Sequence, residues 1–262
     1  MSKYKAHIVC LSGGKDSTAL AVRLKELNPT RKYLYACTPT GDELPEMEDH
    51  WNKLEEILGQ PLIKIHHPDY KDIYELIEEM QMLPNFRQRW CTPVLKLEAI
   101  KYFYDLVKPA VVYVGLRADE EVREGYKLLD ADIKQEHPMQ EWGWTKEDVW
   151  NYLDKKKITI PRRTDCGMCF YQRYDEWYSL WEQYPERFRK YEDLEFYIGH
   201  SLMSPSKLRD WTWLFELRVK FEKGYVPRAV KKVKNKQKEL TLFKDIVKPF
   251  DYSQNRCRVC SL

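Results

Sequence analysis

The sequence predicts an α/β fold: a doubly wound, mostly parallel sheet followed by a C-terminal extension that is helical, aromatic- and Lys-rich. Short apolar runs alternate with stretches of helical spacing over the first part of the chain, which is the rhythm of βαβ units. The run Val111-Val112-Tyr113-Val114 has few polar positions, as a strand covered on both faces requires. The glycine turn Ser12-Gly13-Gly14 joins the apolar run His7-Ile8-Val9-Cys10-Leu11 to a helical pattern. A strand, a tight turn and a helix start make a ready anion site.

Taken in order, the first strand is expected over Ala6–Leu11 and the first helix over Asp16–Leu27, where Asn28-Pro29-Thr30 breaks it. Tyr33–Cys37 reads as the second strand. The polar loop Thr40-Gly41-Asp42-Glu43-Leu44-Pro45-Glu46 leads into a helix over Met47–Leu58, stopped by Gly59. Leu62–Ile65 is the third strand, and Ile73–Met82 is helical. Pro93–Val107 is a helix with its proline suited to the first turn, and Val111–Gly115 is the next strand. From about Pro161 the texture changes. Tyr174–Phe196 and Pro205–Phe221 read as aromatic-rich helices, Pro227–Leu240 as a basic helix or arm, and Phe243–Leu262 as irregular. The division expected is an α/β domain over residues 1–160 and a helical, Cys-containing region over residues 161–262 packed on it.

Charge and composition narrow the function classes. No apolar run approaches the roughly 18 residues of a membrane span. Met1-Ser2-Lys3-Tyr4-Lys5 leads straight to a strand without a signal-like apolar region, so a cytoplasmic protein is expected. The net charge of +3 is unevenly spread: Lys223–Leu262 carries eleven Lys and Arg against three Asp and Glu. A basic tail on a mildly acidic body suits a polyanionic partner; a solvated lysine helix is the alternative. Seven cysteines in a cytosolic chain argue against a disulfide framework. Cys10 and Cys37 fall in core strands as small hydrophobes. Cys91 and the pairs Cys166/Cys169 and Cys257/Cys260 are left for chemistry.

In open parallel sheets, ligands sit beyond the carboxyl ends of the strands. Three segments end up there: Ser12–Thr18, Thr40–Glu46 and Gly115-Leu116-Arg117. In the first, Gly13 and Gly14 let the backbone approach a phosphate, Ser12, Ser17 and Thr18 add hydroxyls, and Lys15 adds a cation. The spacing is not that of a Walker A loop, which needs four residues between its first Gly and Gly-Lys-Ser/Thr.

SGGKDS at a strand–helix junction resembles the PP-loop ATP pyrophosphatases, whose fold is adenine nucleotide alpha hydrolase-like. Further stretches are similar to the PAPS reductase-like branch. They are Thr40–Glu46, Arg89-Trp90-Cys91 with Lys96, Gly115-Leu116-Arg117 through Glu120 and Arg123, His137-Pro138-Met139 through Trp144–Tyr152, and Asp165-Cys166-Gly167-Met168-Cys169. The resemblance covers about residues 6–170. It implies binding of ATP with Mg2+ and cleavage between the α- and β-phosphates. Ser12, Gly13, Gly14, Lys15, Asp16, Ser17, Thr18, Gly115, Arg117 and Arg123 would hold the nucleotide, and Lys15, Asp16, Asp42 and Arg117 would act in catalysis, with Asp16 and Asp42 as metal contacts. Arginine forks suit phosphate oxygens. Surface ion pairing is the plainer reading of Arg117 and Arg123, and turn capping that of Asp42.

The cysteines leave three readings open. Cys91, Cys166, Cys169 and one of Cys257 and Cys260 could hold a 4Fe–4S cluster, the reading the resemblance favours. The two pairs could hold a structural Zn2+. A pair could carry a persulfide or form a redox dithiol. Sulfonucleotide reductases proper usually have a degenerate phosphate loop, and here the loop is intact, which favours ATP over PAPS. Among the branch, the DNA phosphorothioation enzymes of the DndC and SspD type are most similar. The resemblance thus implies an ATP pyrophosphatase that adenylates an acceptor for sulfur transfer to the DNA backbone. Its partners would be a cysteine desulfurase or other sulfur donor, DNA and other modification-system proteins; no membrane association is expected, and a homodimer is allowed. The alternatives are a PAPS or APS reductase, an adenylyltransferase such as the ATP sulfurylase small subunit, and a nucleotide-sensing or docking module without catalysis.

Overall fold

The computed structural model describes residues 3–120, 130–203 and 212–230. Arg123, Cys257, Cys260, most of the basic arm expected over Pro227–Leu240 and the irregular stretch Phe243–Leu262 lie outside the described residues. Five strands, β1 (Ala6–Cys10), β2 (Leu34–Cys37), β3 (Ile63–Lys64), β4 (Ala110–Tyr113) and β5 (Ile133–Glu136), form an all-parallel sheet in the order β3-β2-β1-β4-β5. The helices are α1 (Lys15–Leu27), α2 (Pro45–Leu58), α3 (Ile73–Met80), α4 (Ala99–Val107), α5 (Pro138–Glu141), α6 (Lys146–Lys155), α7 (Tyr174–Gln183), α8 (Pro185–Ile198) and α9 (Leu214–Glu222). Among the described residues, no helix is long and apolar enough to cross a membrane.

Successive strand residues point to opposite faces, and both faces are covered. Val9, Tyr35, Val111 and Tyr113 pack with Leu20 and Leu24 of α1, Trp51 and Leu54 of α2, and Val149 and Leu153 of α6. Ile8, Ala36, Ala110 and Val112 pack on the other side with Ala99 and Tyr104 of α4. All four residues of β4 are buried, which is why its sequence reads as an unbroken apolar run. β2 and β3 extend the sheet to one side of β1, and β4 and β5 to the other. The strand order therefore reverses between β1 and β4, and the crevice that ligands use lies at that switch point.

A third core explains the aromatic load. Trp177, Phe188, Tyr191, Leu214, Leu217 and Phe221 from α7, α8 and α9 pack against Leu44, Ile73, Leu76, Trp90, Leu95 and Met168. This core joins the C-terminal helices to the loop after β2 and to the segment around Cys91.

Three local expectations change. The stretch Tyr174–Phe196 is two helices: Tyr184 leaves the helical region (φ −131, ψ 61) and Pro185, which has no N–H to donate, opens α8. The turn before α4 is a π-helix over Pro93–Glu98, closed by Leu97 N donating to Thr92 O at 3.0 Å. β5 has the sequence Ile-Lys-Gln-Glu and, among the described residues, pairs only with β4, so its polarity hid it.

Glu195 is 1% exposed and ties the chain on either side of the undescribed residues 204–211. Its carboxyl accepts from Leu202 N at 2.8 Å, Ser201 Oγ at 2.9 Å and Leu214 N at 2.6 Å. Burial pushes its pKa up to about 7 from 4.5, against the pull of those donors. Between these two values the folded state holds more protons than the unfolded state, so stability falls as pH rises through the window. Urea unfolding from pH 4 to 8 is expected to show that fall, on the order of 1 kcal/mol per pH unit from this group. Glu195→Gln is expected to flatten it, at a lower baseline because its amide faces backbone donors. An equal slope in both proteins would assign the pH dependence to other groups.

Candidate active site

Each chemical segment is placed by the element it follows. Leu11 ends the β1 run with N donating to Ala36 O at 2.8 Å, and the chain turns through Ser12 and Gly13 into α1. Gly13 has φ +85, and a Cβ on it would lie 2.0 Å from Met47 Cε and 2.8 Å from Trp51 Nε1. Only glycine fits there, because α2 is packed directly against the turn. Gly14 is the N-cap, with no side chain closing the first turn of α1, so the dipole and free N–H groups face outward. Ser12 Oγ and Ser17 Oγ are 3.0 Å apart, and Ser17 Oγ donates to Gly14 O at 3.1 Å, which ties the loop to itself. Thr18 is fully buried with Oγ1 3.5 Å from His50 Nε2. His50 also bonds the Gly13 backbone, and burial drives its pKa down to about 4, so a neutral imidazole braces the loop from beneath.

Gly115, at the end of β4, lies close against α1. A Cβ there would sit 3.2 Å from Asp16 C and Ser17 N. That approach brings Arg117 onto Asp16. Asp16 Oδ2 takes Lys15 Nζ at 2.6 Å and Arg117 NH1 at 3.0 Å. Arg117 also pairs with Asp119 at 2.8 Å and Glu120 at 3.5 Å, so it is a buried cation held by three carboxylates rather than a surface ion pair. Asp16 Oδ1 is buried and has no hydrogen-bond partner. A carboxylate oxygen in that state fits a cation, and it is the atom that would hold Mg2+ beside the loop.

Asp42, expected as a metal contact, is buried beneath the cysteine turn. It is 3% exposed, and its carboxylate accepts from Tyr74 Oη at 2.5 Å, from Tyr191 Oη at 2.9 Å and from Met168 N at 2.8 Å. Burial raises its pKa, against those hydrogen bonds. Its backbone O takes Gly167 N at 2.7 Å. A Cβ on Gly167 would lie 2.2 Å from Tyr191 Oη, so the Cys166–Cys169 turn needs glycine to sit on Asp42. The neighbouring Glu43 caps its own loop, accepting from Thr40 N at 2.7 Å and Gly41 N at 2.9 Å.

The structure brings Cys91, Cys166 and Cys169 into one neighbourhood. Cys166 and Cys169 share a hydrogen bond. The proton stays on Cys166, while Cys169 is drawn below the usual thiol range by that bond and by Arg163. Cys91 is pushed up by burial, with Lys96 opposing and Cys169 adding to the rise. Burial works against the charge of Lys96, but Cys166, Glu43, Asp165 and Cys91 outweigh it and hold the ammonium. Arg163 is buried and donates to Cys166 O at 2.8 Å. Two cations thus face three thiols, a setting for anionic sulfur. Among the described residues, no group of three or more His, Cys, Asp or Glu is arranged to hold a metal ion. The thiols are chemically suited to iron or zinc, but a complete ligand set is not formed by the residues described.

The two halves of the site touch. Thr164 Oγ1 is 3.9 Å from where a Cβ on Gly14 would be, so the chain entering the cysteine turn passes over the glycine loop. Arg163, Thr164, His50, Tyr74 and Tyr191 were not legible as site residues. The tyrosines look like core aromatics, and the others stand outside any spaced motif.

An open parallel sheet with a glycine loop at its switch point defines the class: a doubly wound α/β protein whose first strand–helix turn can receive an anion. The chain belongs to the phosphoadenosine phosphosulfate reductase domain family, whose profile matches residues 6–167. Two curated relatives, the uncharacterized proteins MJ0066 and MJ0973 of Methanocaldococcus jannaschii, are each 26% identical, over 214 and 202 residues. These alignments cover 76% and 72% of this chain but 43% and 47% of the relatives, so the chain spans less than half of their length. Among solved structures, the phosphoadenylyl-sulfate reductase of Candida auris in a phosphate complex is 12% identical with a TM-score of 0.47, covering 60% of this chain and 75% of that one. The U34-tRNA thiolase NcsA of Methanococcus maripaludis with its 4Fe–4S cluster is 18% identical with a TM-score of 0.45, covering 100% of this chain and 82% of that one.

Proposed function

We propose that the protein is an ATP pyrophosphatase that adenylates a nucleic-acid backbone for sulfur transfer, with DNA phosphorothioation of the DndC and SspD type as the preferred role. The observation that carries this is the contact between the two halves of the site: the glycine loop at Gly14 adjoins Thr164, which leads into the buried cysteine turn. Activation by phosphate chemistry and delivery of sulfur then occur on one rim of the sheet. An acceptor oxygen attacks the α-phosphorus, and pyrophosphate leaves into the N–H groups of Ser12–Ser17, with Lys15 and Arg117 holding its charge. Asp16 would hold Mg2+ through its unpartnered Oδ1, and the ion would supply charge neutralisation for the departing phosphates. The outer sulfur of a Cys169 persulfide, loaded from the donor, attacks the adenylated phosphorus and displaces AMP; the Cys166 thiol then attacks Cys169 Sγ, breaking the S–S bond to release the phosphorothioate and leaving a Cys166–Cys169 disulfide that an external thiol reduces. Cys169 is the group to carry the sulfur, since it ionises ahead of Cys166, and Lys96 and Arg163 stabilise the anion. A cysteine desulfurase is the donor partner of this reading; Cys91, Cys166 and Cys169 with Cys257 or Cys260 would be the residues to hold a 4Fe–4S cluster, which would supply an alternative site for sulfur.

The test uses the full chain, ATP labelled at the α-phosphate, Mg2+, a persulfide donor, a thiol reductant and DNA. The expected products are AMP and pyrophosphate in equal amounts, and nuclease digests containing phosphorothioate dinucleotides. Release of ADP and orthophosphate alone would sink the reading. Reduction of PAPS is the competing activity, favoured by the family's namesake domain. Sulfite formed from PAPS or APS with a thiol reductant, and no pyrophosphate from ATP, would replace the present proposal.

A further inference from the structure

Behind the cysteine turn lies a cleft of about 580 Å3 that the chemistry above does not use. Its walls include Phe170, Tyr171, Tyr174, Tyr225, Arg173 and Arg228. The volume is within the ~300–1,000 Å3 of sites that enclose a small ligand. Two of the tyrosines are conspicuously open for large aromatics, Tyr174 at 36% and Tyr225 at 44% exposed. Both are held in place: Tyr174 opens α7, and the Tyr225 ring stacks on Phe221 at 6.2 Å and 9°. The Arg89 guanidinium lies 5.2 Å from the Tyr171 ring centroid and adds a cation to the same rim. Exposed rigid rings interleaved with arginines are the surface that binds unpaired bases and their phosphates. One acidic group is present, Asp175, but Arg173 pairs with it at 3.1 Å.

The cleft is joined to the cysteines by short covalent and hydrogen-bonded links. Phe170 and Tyr171 follow Cys169 directly. Gln172, another lining residue, donates from its backbone N to Cys169 O at 3.0 Å and from its side chain to Gly167 O. On the other side, Arg89 is two residues from Cys91. A ligand seated on these rings lies next to the sulfur site.

We propose that this cleft binds a single-stranded nucleotide segment, stacking a base on Tyr174 and Tyr225 while Arg228 and Arg89 receive its phosphates. The inference rests on the nucleic-acid reading above and gives it a place. It also specifies the form of the substrate: a base already unpaired, or extruded from a duplex, rather than an intact helix.

The experiment measures binding of fluorescent oligonucleotides to the full chain by anisotropy, over a salt series. The probes are a single-stranded DNA, a ribonucleotide chain of the same sequence, the DNA duplex, and a single strand with abasic residues throughout its centre. The variants are Tyr174→Ala, Tyr225→Ala and Arg228→Gln. The single strand is expected to bind about tenfold more tightly than the abasic strand, and either tyrosine variant to lose about tenfold on the single strand and little on the abasic one. Arg228→Gln is expected to reduce the salt dependence by about one ion. Whether DNA or RNA binds more tightly identifies the source of the strand. Equal binding of normal and abasic strands, or tyrosine variants that bind as the parent does, would overturn the cleft assignment. Pyrophosphate release from ATP by the parent chain is measured alongside, with and without the single strand. If no pyrophosphate is ever formed yet the tyrosine effect appears, the functional reading fails and the cleft stands. The reverse pattern leaves the pyrophosphatase and removes the cleft.

Discussion

Lys15→Ala is expected to lower pyrophosphate release from ATP by about 100- to 1,000-fold, the loss seen when one preorganised charge donor is taken from a transition state. The fold is expected to survive, with the melting temperature moving by no more than a few degrees. The reason lies in how Asp16 is held. Its Oδ2 accepts both Lys15 at 2.6 Å and Arg117 at 3.0 Å, so removing Lys15 leaves the buried carboxylate still paired. What is lost is the cation at the mouth of the glycine loop, where the leaving phosphates gather charge. Arg117→Ala is the poorer probe. It strips the guanidinium from Asp16, Asp119 and Glu120 together and leaves buried negative charge uncompensated, at a cost of about 3–5 kcal/mol. Rate and stability would fall together in that variant and could not be separated. Pyrophosphate release within threefold of the parent in Lys15→Ala, with melting unchanged, would remove Lys15 from the chemistry.

Much of this was legible in the sequence because it is written in backbone requirements. Gly13 and Gly115 mark places where a Cβ would strike a neighbour, and an apolar run ending in Gly-x-Arg can only be a buried strand delivering an arginine to its carboxyl end. The order reversal at β1 and β4 follows from such strands being parallel and doubly wound. The rest was not legible, for reasons of distance. Tyr191 is 149 residues from the carboxylate it serves, and nothing in the aromatic pattern of α8 separates it from Phe188 in the same core. Lys96 was marked by the resemblance alone, and its contact with the cysteines arises only when the π-helical turn over Pro93–Glu98 and the cysteine turn are set beside each other. Arg163 is near in sequence, three residues before Cys166, but nothing in the sequence says that it is buried on the Cys166 carbonyl rather than solvated.

Asp42 is where sequence and structure pull hardest apart, and a substitution there separates them. If the carboxylate held Mg2+, Asp42→Ala would raise the Mg2+ requirement and suppress pyrophosphate release. The geometry predicts otherwise. Asp42 spends its oxygens on Tyr74, Tyr191 and the backbone N–H of Met168, and so pins the cysteine turn to the loop after β2. Asp42→Ala takes the shared acceptor from the buried Tyr191 hydroxyl and Met168 N–H and from the half-buried Tyr74 hydroxyl, so a loss on the order of 3–5 kcal/mol is expected at about 1–3 kcal/mol for each buried group. Pyrophosphate release should keep its Mg2+ dependence and stay within about tenfold, because Lys15, Asp16 and Arg117 do not lean on Asp42. Sulfur transfer should be lost, and Cys166 and Cys169 should react faster with a thiol reagent as their turn comes loose. Asp42→Asn guards against simple unfolding. It keeps the volume and one acceptor, and should show the same order of effects at a smaller stability cost, since its amide can satisfy only part of the set. A rise in the Mg2+ needed for half-maximal release in Asp42→Asn, with thiol reactivity unmoved, would return the Asp42 carboxylate to the metal and leave the cysteine turn to be held by Gln172, Arg163 and the Asp42 backbone O.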